Sequence, residues 1–207
     1  MARRRKSTGA LVLALCVGAV LWWLDHREDL ALEHGEFREL RGCRLVAHRN
    51  NDGDSFHVAT PDGNRQEFRL YFVDAPESAL KQYRDGNSNE ERLRFQAEYF
   101  GRLAQDQTTE VGQQAKKWTA KLLGQEPFTV YTRGEKVYNG PRLYGFVSVQ
   151  ERGQERWLHE LLVERGLARI YTKGAGLPDG TKPGTQEKRL RSLERTAKSE
   201  NRGAWGM

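Results

Sequence analysis

The chain has 207 residues, 37% of them hydrophobic and 30% charged, which gives one domain with a sizeable core plus a short extension and excludes a disordered chain. The formal net charge of +6 falls to near balance once Arg3, Arg4, Arg5 and Lys6 are set aside, leaving 30 basic residues against 28 acidic ones. Bulk charge therefore makes no case for a polyanionic partner. Two cysteines, Cys16 and Cys43, give no disulfide framework, and the absence of CxxC or paired Cys/His spacing leaves zinc unsupported.

At the N-terminus the cationic cluster is followed by an apolar run over residues 10–24 that ends at Asp25. Fifteen residues is the upper limit for a signal-peptide core and short for a membrane span. Trp22 and Trp23 suit a membrane interface, with the basic cluster on the cytoplasmic side. The expectation is an uncleaved signal anchor, with a signal peptide cleaved after Ala19 as the alternative. Either reading puts the body outside the cytoplasm, membrane-anchored facing the periplasm or exterior, or secreted.

Residues 25–41 are densely charged and predict a linker or short helix ahead of a domain over residues 42–207. CRLVAH predicts a strand, NNDGD a turn, SFHVAT a second strand, and RQEFRLYFV a third that ends at Asp74. The PDGN between the last two makes them a hairpin. ERLRFQAEYFGRLA and GQQAKKWTAKLL predict two helices separated by a polar break, QDQTT, with Leu93, Ala97 and Phe100 on one side of the first. FTVYTR and RLYGFVSV return to strand. RWLHELLVERGLA predicts a helix closed by Gly166, ARIYT a short strand, and the charged tail a helix with Leu190, Leu193 and Ala197 inward. The order gives an α+β class, and short strands with tight turns suit a closed barrel capped by helices. An OB-type barrel fits this count among other small barrels.

Two constellations carry chemistry. Asp52-Gly53-Asp54 and Asp74-Ala75-Pro76-Glu77 put four carboxylates in turns at the ends of adjacent hairpin strands. Oxygen-only clusters of this kind suit a hard divalent cation such as Ca²⁺, although a plain turn and a strand exit would use the same residue types. Arg69, set within FRLYFV, and Arg142, opening RLYGFV, each need an anionic partner. That partner is either a carboxylate in a structural ion pair or a phosphate held by the guanidinium fork.

DGDSF, FRLYFVDAPE, the Gly112-x-x-Ala115 pair, PRLYGFV and the closing ER-x-AK with GAW together resemble the staphylococcal nuclease (thermonuclease) family, in order from about residue 43 to 205. The resemblance implies a five-stranded OB-fold barrel with about three packed helices and a calcium-dependent phosphodiesterase acting on DNA or RNA. It places metal ligands at Asp54, Asp74 and the Ala75 carbonyl, and a catalytic set at Arg69, Glu77 and Arg142. In that scheme Ca²⁺ neutralises charge on the phosphate, Glu77 orients or deprotonates water, and both arginines bind the equatorial oxygens. The chain departs from the family between Glu77 and Gly112, where it is longer by about twenty residues on loop-length grounds. It also departs at Tyr138-Asn139-Gly140-Pro141 before Arg142, and at Ser55, where Thr is usual. The competing expectations are a non-catalytic nucleic-acid-binding barrel and a membrane-anchored scaffold with a vestigial site.

Overall fold

The computed structural model describes residues 36–207 apart from Arg84, so the expected anchor and most of the expected linker lie outside the described residues. In chain order the elements are β1 (Arg38–Leu45), β2 (Ser55–Ala59), β3 (Arg65–Leu70), β4 (Val73–Asp74), α1 (Glu90–Tyr99), α2 (Gln105–Leu123), β5 (Phe128–Thr132), β6 (Leu143–Glu151), β7 (Gln154–Trp157), α3 (Leu158–Glu164), β8 (Arg169–Ile170) and α4 (Pro183–Ser199). A 3₁₀ turn, Gly203–Gly206, closes the chain. No helix among the described residues is long and apolar enough to cross a membrane.

The PDGN turn sets the first pairing. Gly63 takes the left-handed conformation (φ 82°) that such a turn requires, and Thr60 N donates to Asn64 O over 2.9 Å. β2 and β3 therefore run antiparallel, with Ser55 opposite Arg69 and Phe56 opposite Phe68. β1 joins the free side of β2, β5 joins β1, and β6 joins β5. The sheet then closes because β6 also pairs in parallel with β3, placing Tyr144 opposite Arg69. The result is the expected closed five-stranded OB-type barrel, with β7 extending β6 and a separate β4–β8 ribbon. Phe56, Val58, Phe68, Leu70, Val130 and Phe146 fill its interior and are all buried. Each such side chain contributes roughly 1.5–3 kcal/mol by leaving water.

The structure corrects several sequence expectations. Residues 38–41 belong to β1 and not to the linker, because pairing with neighbouring strands overrides a charged composition. β3 stops at Leu70 instead of running to Asp74: Phe72 adopts φ 68° and its amide turns to Lys173 O, 2.9 Å away. Asp74 then pairs with Arg169 in the β4–β8 ribbon. QDQTT is the first turn of α2, and the break lies earlier, where Gly101 (φ 94°) and Arg102 (φ 67°) leave helical geometry. The expected helix from Arg156 begins only at Leu158, since Arg152 and Gly153, both at positive φ, make a two-residue hairpin turn into β7. Arg142 stands one residue before β6, and the described residues hold four helices where about three were expected. Leu93, Ala97 and Phe100 are buried as expected; Leu190 and Ala197 are buried too, and Leu193 only partly.

Helix α2 positions the two acidic turns. It buries Thr108, Val111, Gly112, Ala115, Thr119 and Leu123 at helical spacing. Thr119 Oγ1 donates to the Gly53 carbonyl over 3.0 Å, fixing the first turn. A side chain on Gly53 would meet Ala75 and Ala115 at 2.8 Å. At Gly112 a Cβ would lie 2.5 Å from the Pro76 and Glu77 carbonyl oxygens, so the small residue lets the backbone carrying Glu77 rest on the helix. An exposed helical Gly→Ala would gain about 1 kcal/mol, but here the backbone must shift, which costs about 1–3 kcal/mol. Gly112→Ala should therefore be net destabilising, seen as a lower urea midpoint with an unchanged slope; a stabilised variant would contradict this packing.

Candidate active site

The Asp74 carboxylate is the centre of the site. It ends β4 with 1% exposure and accepts four hydrogen bonds. Oδ1 takes Arg69 Nη2 and Arg92 Nη2, each at 2.6 Å. Oδ2 takes Arg169 Nε at 2.8 Å and Gln96 Nε2 at 2.9 Å. Burial alone would raise the carboxyl, but Arg92, Arg69 and Arg169 outweigh it and, with Gln96, hold it at about 2.

Asp54 lies beside it, also buried. Its Oδ1 faces Arg69 Nη1 at 3.3 Å and the Ser55 hydroxyl at 3.1 Å, and its Oδ2 accepts the Ala75 amide at 2.7 Å. Burial pushes this carboxyl up from its ordinary value, and Arg69 offsets only part of the effect. Burial also pushes Asp52 up, to about 7, with the Asp54 charge adding to it. Arg69 thus bridges Asp54 and Asp74, as expected for an arginine among strand apolars.

Glu77, on the loop after β4, is 8% exposed. Its backbone amide donates to Gln96 Oε1 at 3.0 Å. Arg92 Nη1 lies 3.0 Å from its Oε1, while Asn89 Nδ2 donates to Oε2 at 3.1 Å and Lys81 Nζ stands 3.5 Å away.

In front of these groups opens a cavity of about 800 Å³, whose walls include Arg69, Asp74, Arg92, Arg142 and Arg169. Lys136, Lys173, Tyr138, Tyr144 and Tyr171 line it as well. Arg142 is half-buried, and among the described residues no ion pair engages its guanidinium. Arg169 also stacks on Tyr171, with its guanidinium carbon 3.9 Å from the ring centre. The structure therefore brings Arg69, Asp74 and Arg142 to one cavity, puts Asp54 and Ala75 behind Arg69, and leaves Glu77 behind Arg92.

Four further residues shape the site: Asn89, Arg92, Gln96 and Arg169. Arg169 stands between Ala168 and Ile170 in a short strand, so the reasoning applied to Arg69 identifies it too. Arg92 and Gln96 are four apart on one face of α1, but nothing in the sequence aims that face at Asp74.

The oxygens expected to hold calcium are engaged by protein donors. Both Asp54 oxygens and both Asp74 oxygens accept hydrogen bonds, and the Ala75 carbonyl accepts Gln96 Nε2 at 3.1 Å. Among the described residues no three acidic, histidine or cysteine side chains form a cluster suited to a metal. In this arrangement the donor set does not fit a directly bound cation.

A closed five-stranded barrel with an arginine–carboxylate network under a cavity rich in arginine and lysine, with Glu91 and Glu135 among them, defines a small OB-type barrel with a charged site. The chain belongs to the staphylococcal nuclease homologue family, whose model matches residues 67–207. That match takes in Arg69, Asp74, Glu77 and Arg142, and it supports a nuclease-type function with nucleic acid as substrate. Comparison with curated proteins gives no match.

Replacing Asp74 by Asn would leave three guanidinium groups facing a neutral amide. Breaking a buried pair in this way costs about 3–5 kcal/mol, and chemical denaturation of Asp74→Asn should show a loss of that order. Because the folded-state value is depressed, the stabilisation in the wild type is present above pH 3.8 and is lost as pH falls through about 2. The variant should lack this acid-dependent step; an unchanged acid profile would remove Asp74 from the centre of the network.

Proposed function

We propose that the protein hydrolyses phosphodiester bonds of DNA or RNA in the cavity above Asp74, as an endonuclease. The observation that carries this reading is the convergence of Arg69, from β3, and Arg142, just ahead of β6, on one cavity that also receives Arg169, Lys136 and Lys173 alongside Glu91 and Glu135. Arg142 supplies a fork with no carboxylate partner among the described residues, suited to two oxygens of a phosphate. Arg69 is fixed by Asp54 and Asp74, so its remaining donors are preorganised, and they strengthen as charge develops on the phosphorus oxygens. Glu77 is the group to orient or deprotonate the attacking water, once its carboxylate is turned from Arg92. Calcium, implied by the family resemblance, would reach Asp54 and Asp74 only by displacing the protein donors that engage them.

Incubation of the full-length chain with single- and double-stranded DNA and RNA tests the reading. Glu77→Gln should lower kcat by about a hundred- to ten-thousand-fold with little change in oligonucleotide binding. Arg142→Ala should weaken both turnover and binding. Binding without cleavage by the wild type, or wild-type turnover by Glu77→Gln, would favour a non-catalytic nucleic-acid-binding barrel.

The apolar run over residues 10–24 supports placing this activity outside the cytoplasm. External protease should then digest the domain in intact spheroplasts, and the chain should sediment with membranes if the segment is retained. Protection from protease would overturn this placement.

A further inference from the structure

Each oxygen that the family resemblance assigns to calcium already accepts a protein donor, and most of those donors are cations. Asp74 gives Oδ1 to Arg69 and Arg92 at 2.6 Å each, and Oδ2 to Arg169 at 2.8 Å. Asp54 faces Arg69 at 3.3 Å, while Glu77 faces Arg92 at 3.0 Å and Lys81 at 3.5 Å. Three arginines and a lysine therefore meet the three carboxylates of Asp54, Asp74 and Glu77. A dication would have to share these oxygens with guanidinium groups that repel it. It would also need about six to eight oxygen ligands, and the Ala75 carbonyl is taken by Gln96.

Among these cations Arg92 is placed to meet a substrate. It rises from α1, its side chain is 42% exposed, and it lines the same cavity as Arg69 and Arg142. Its two terminal nitrogens divide between carboxylates, Nη1 on Glu77 and Nη2 on Asp74, so the planar group is fixed in orientation. Each of those nitrogens carries a second N–H that these two contacts do not use.

We propose that Arg92 takes the place of a metal in this site: with Arg69 and Arg142 it neutralises the phosphate, and the protein acts on phosphodiesters without a divalent cation. The inference rests on the phosphodiesterase reading and adds to it how the phosphate charge is met. Of the two carboxylates on Arg92, Glu77 is the one that a phosphate oxygen can replace. Its contact is the longer, 3.0 Å against 2.6 Å, and its side chain is 10% exposed against 1% for Asp74. Glu77 keeps Asn89 and Lys81 when Arg92 is taken over, and Asp74 keeps the guanidinium in place. Arrival of the phosphate thus frees Glu77 to act on water. Water then adds its oxygen to phosphorus and passes a proton to Glu77, which returns it to solvent. One phosphorus–oxygen ester bond breaks, and the leaving oxygen takes a proton from solvent. The charge that builds on the phosphorus oxygens meets three guanidinium groups already in position.

Cleavage of single-stranded DNA and RNA oligonucleotides by the full-length chain, in chelator and in calcium chloride, is the test. Turnover in chelator should equal turnover in calcium. Loss in chelator with recovery in calcium overturns the inference and leaves the cleavage reading standing. In chelator Arg92→Ala should lose about a hundredfold or more in turnover, and a variant that cleaves at the wild-type rate overturns the inference. If the wild type cleaves under neither condition, the cleavage reading fails and binding decides. Arg92→Ala should then hold the oligonucleotide about tenfold or more less tightly in chelator, and equal binding overturns the inference. Thermal melts in chelator establish that the variant is folded. Should it not fold, the Arg92 Nε–Hε signal in the NMR spectrum of the wild type should move as oligonucleotide is added in chelator, and an unmoved signal overturns the inference.

Discussion

One buried carboxylate organises this protein. Asp74 receives guanidinium groups from β3, α1 and β8, and an amide from α1, so its position is tied to each of these elements. A charge so deep in the protein is tolerable only if each of its lone pairs is satisfied and its sign is countered. That requirement fixes where β3 must end. Phe72 takes a left-handed conformation that breaks the strand, and Asp74 then pairs beside Arg169 instead of continuing along the barrel. The strained residue is held by burial of its ring and by the hydrogen bond that its amide donates to the Lys173 carbonyl.

Around that carboxylate, small residues do the positioning. Gly53, Ala75, Gly112 and Ala115 let the two acidic turns lie against helix α2 with almost no space between backbones. Thr119 adds a hydrogen bond to the Gly53 carbonyl. Close packing transmits position well, because neither turn can shift without displacing the helix. The geometry of Asp54, Asp74 and Glu77 is therefore set by a helix that itself donates none of the hydrogen bonds to these carboxylates.

The segment between Glu77 and α2 changes the electrostatics of the site. It supplies Lys81, Asn89, Arg92 and Gln96, which together contact Glu77, Asp74 and Ala75. Its positive charges face the carboxylates of Asp74 and Glu77 directly. The cavity in front presents Arg142 and Lys136, while its Lys173 is paired with Glu135 and its Arg169 with Asp74. An inner network of matched charges thus lies beneath a cavity in which Arg142 has no carboxylate partner among the described residues.

The sequence by itself determined the elements whose signals are local. The PDGN hairpin, the strand composition of β5 and β6, the buried face of α1 and the need of Arg69 for an anionic partner were all legible in it. So were the residues Asp54, Asp74, Glu77 and Arg142, because they sit in short motifs at fixed spacing. Tertiary structure decided what depends on contacts distant in the chain. Closure of the barrel through β3 and β6, and the end of β3 at Leu70, follow from pairing with segments more than seventy residues away. The same holds for Arg92 and Gln96. Their spacing marks one face of a helix, but only the packing of α1 on the rest of the domain turns that face onto Asp74 and Glu77. Local sequence encodes conformation and side-chain chemistry, while the partner of a charge is chosen by the fold that brings the two together.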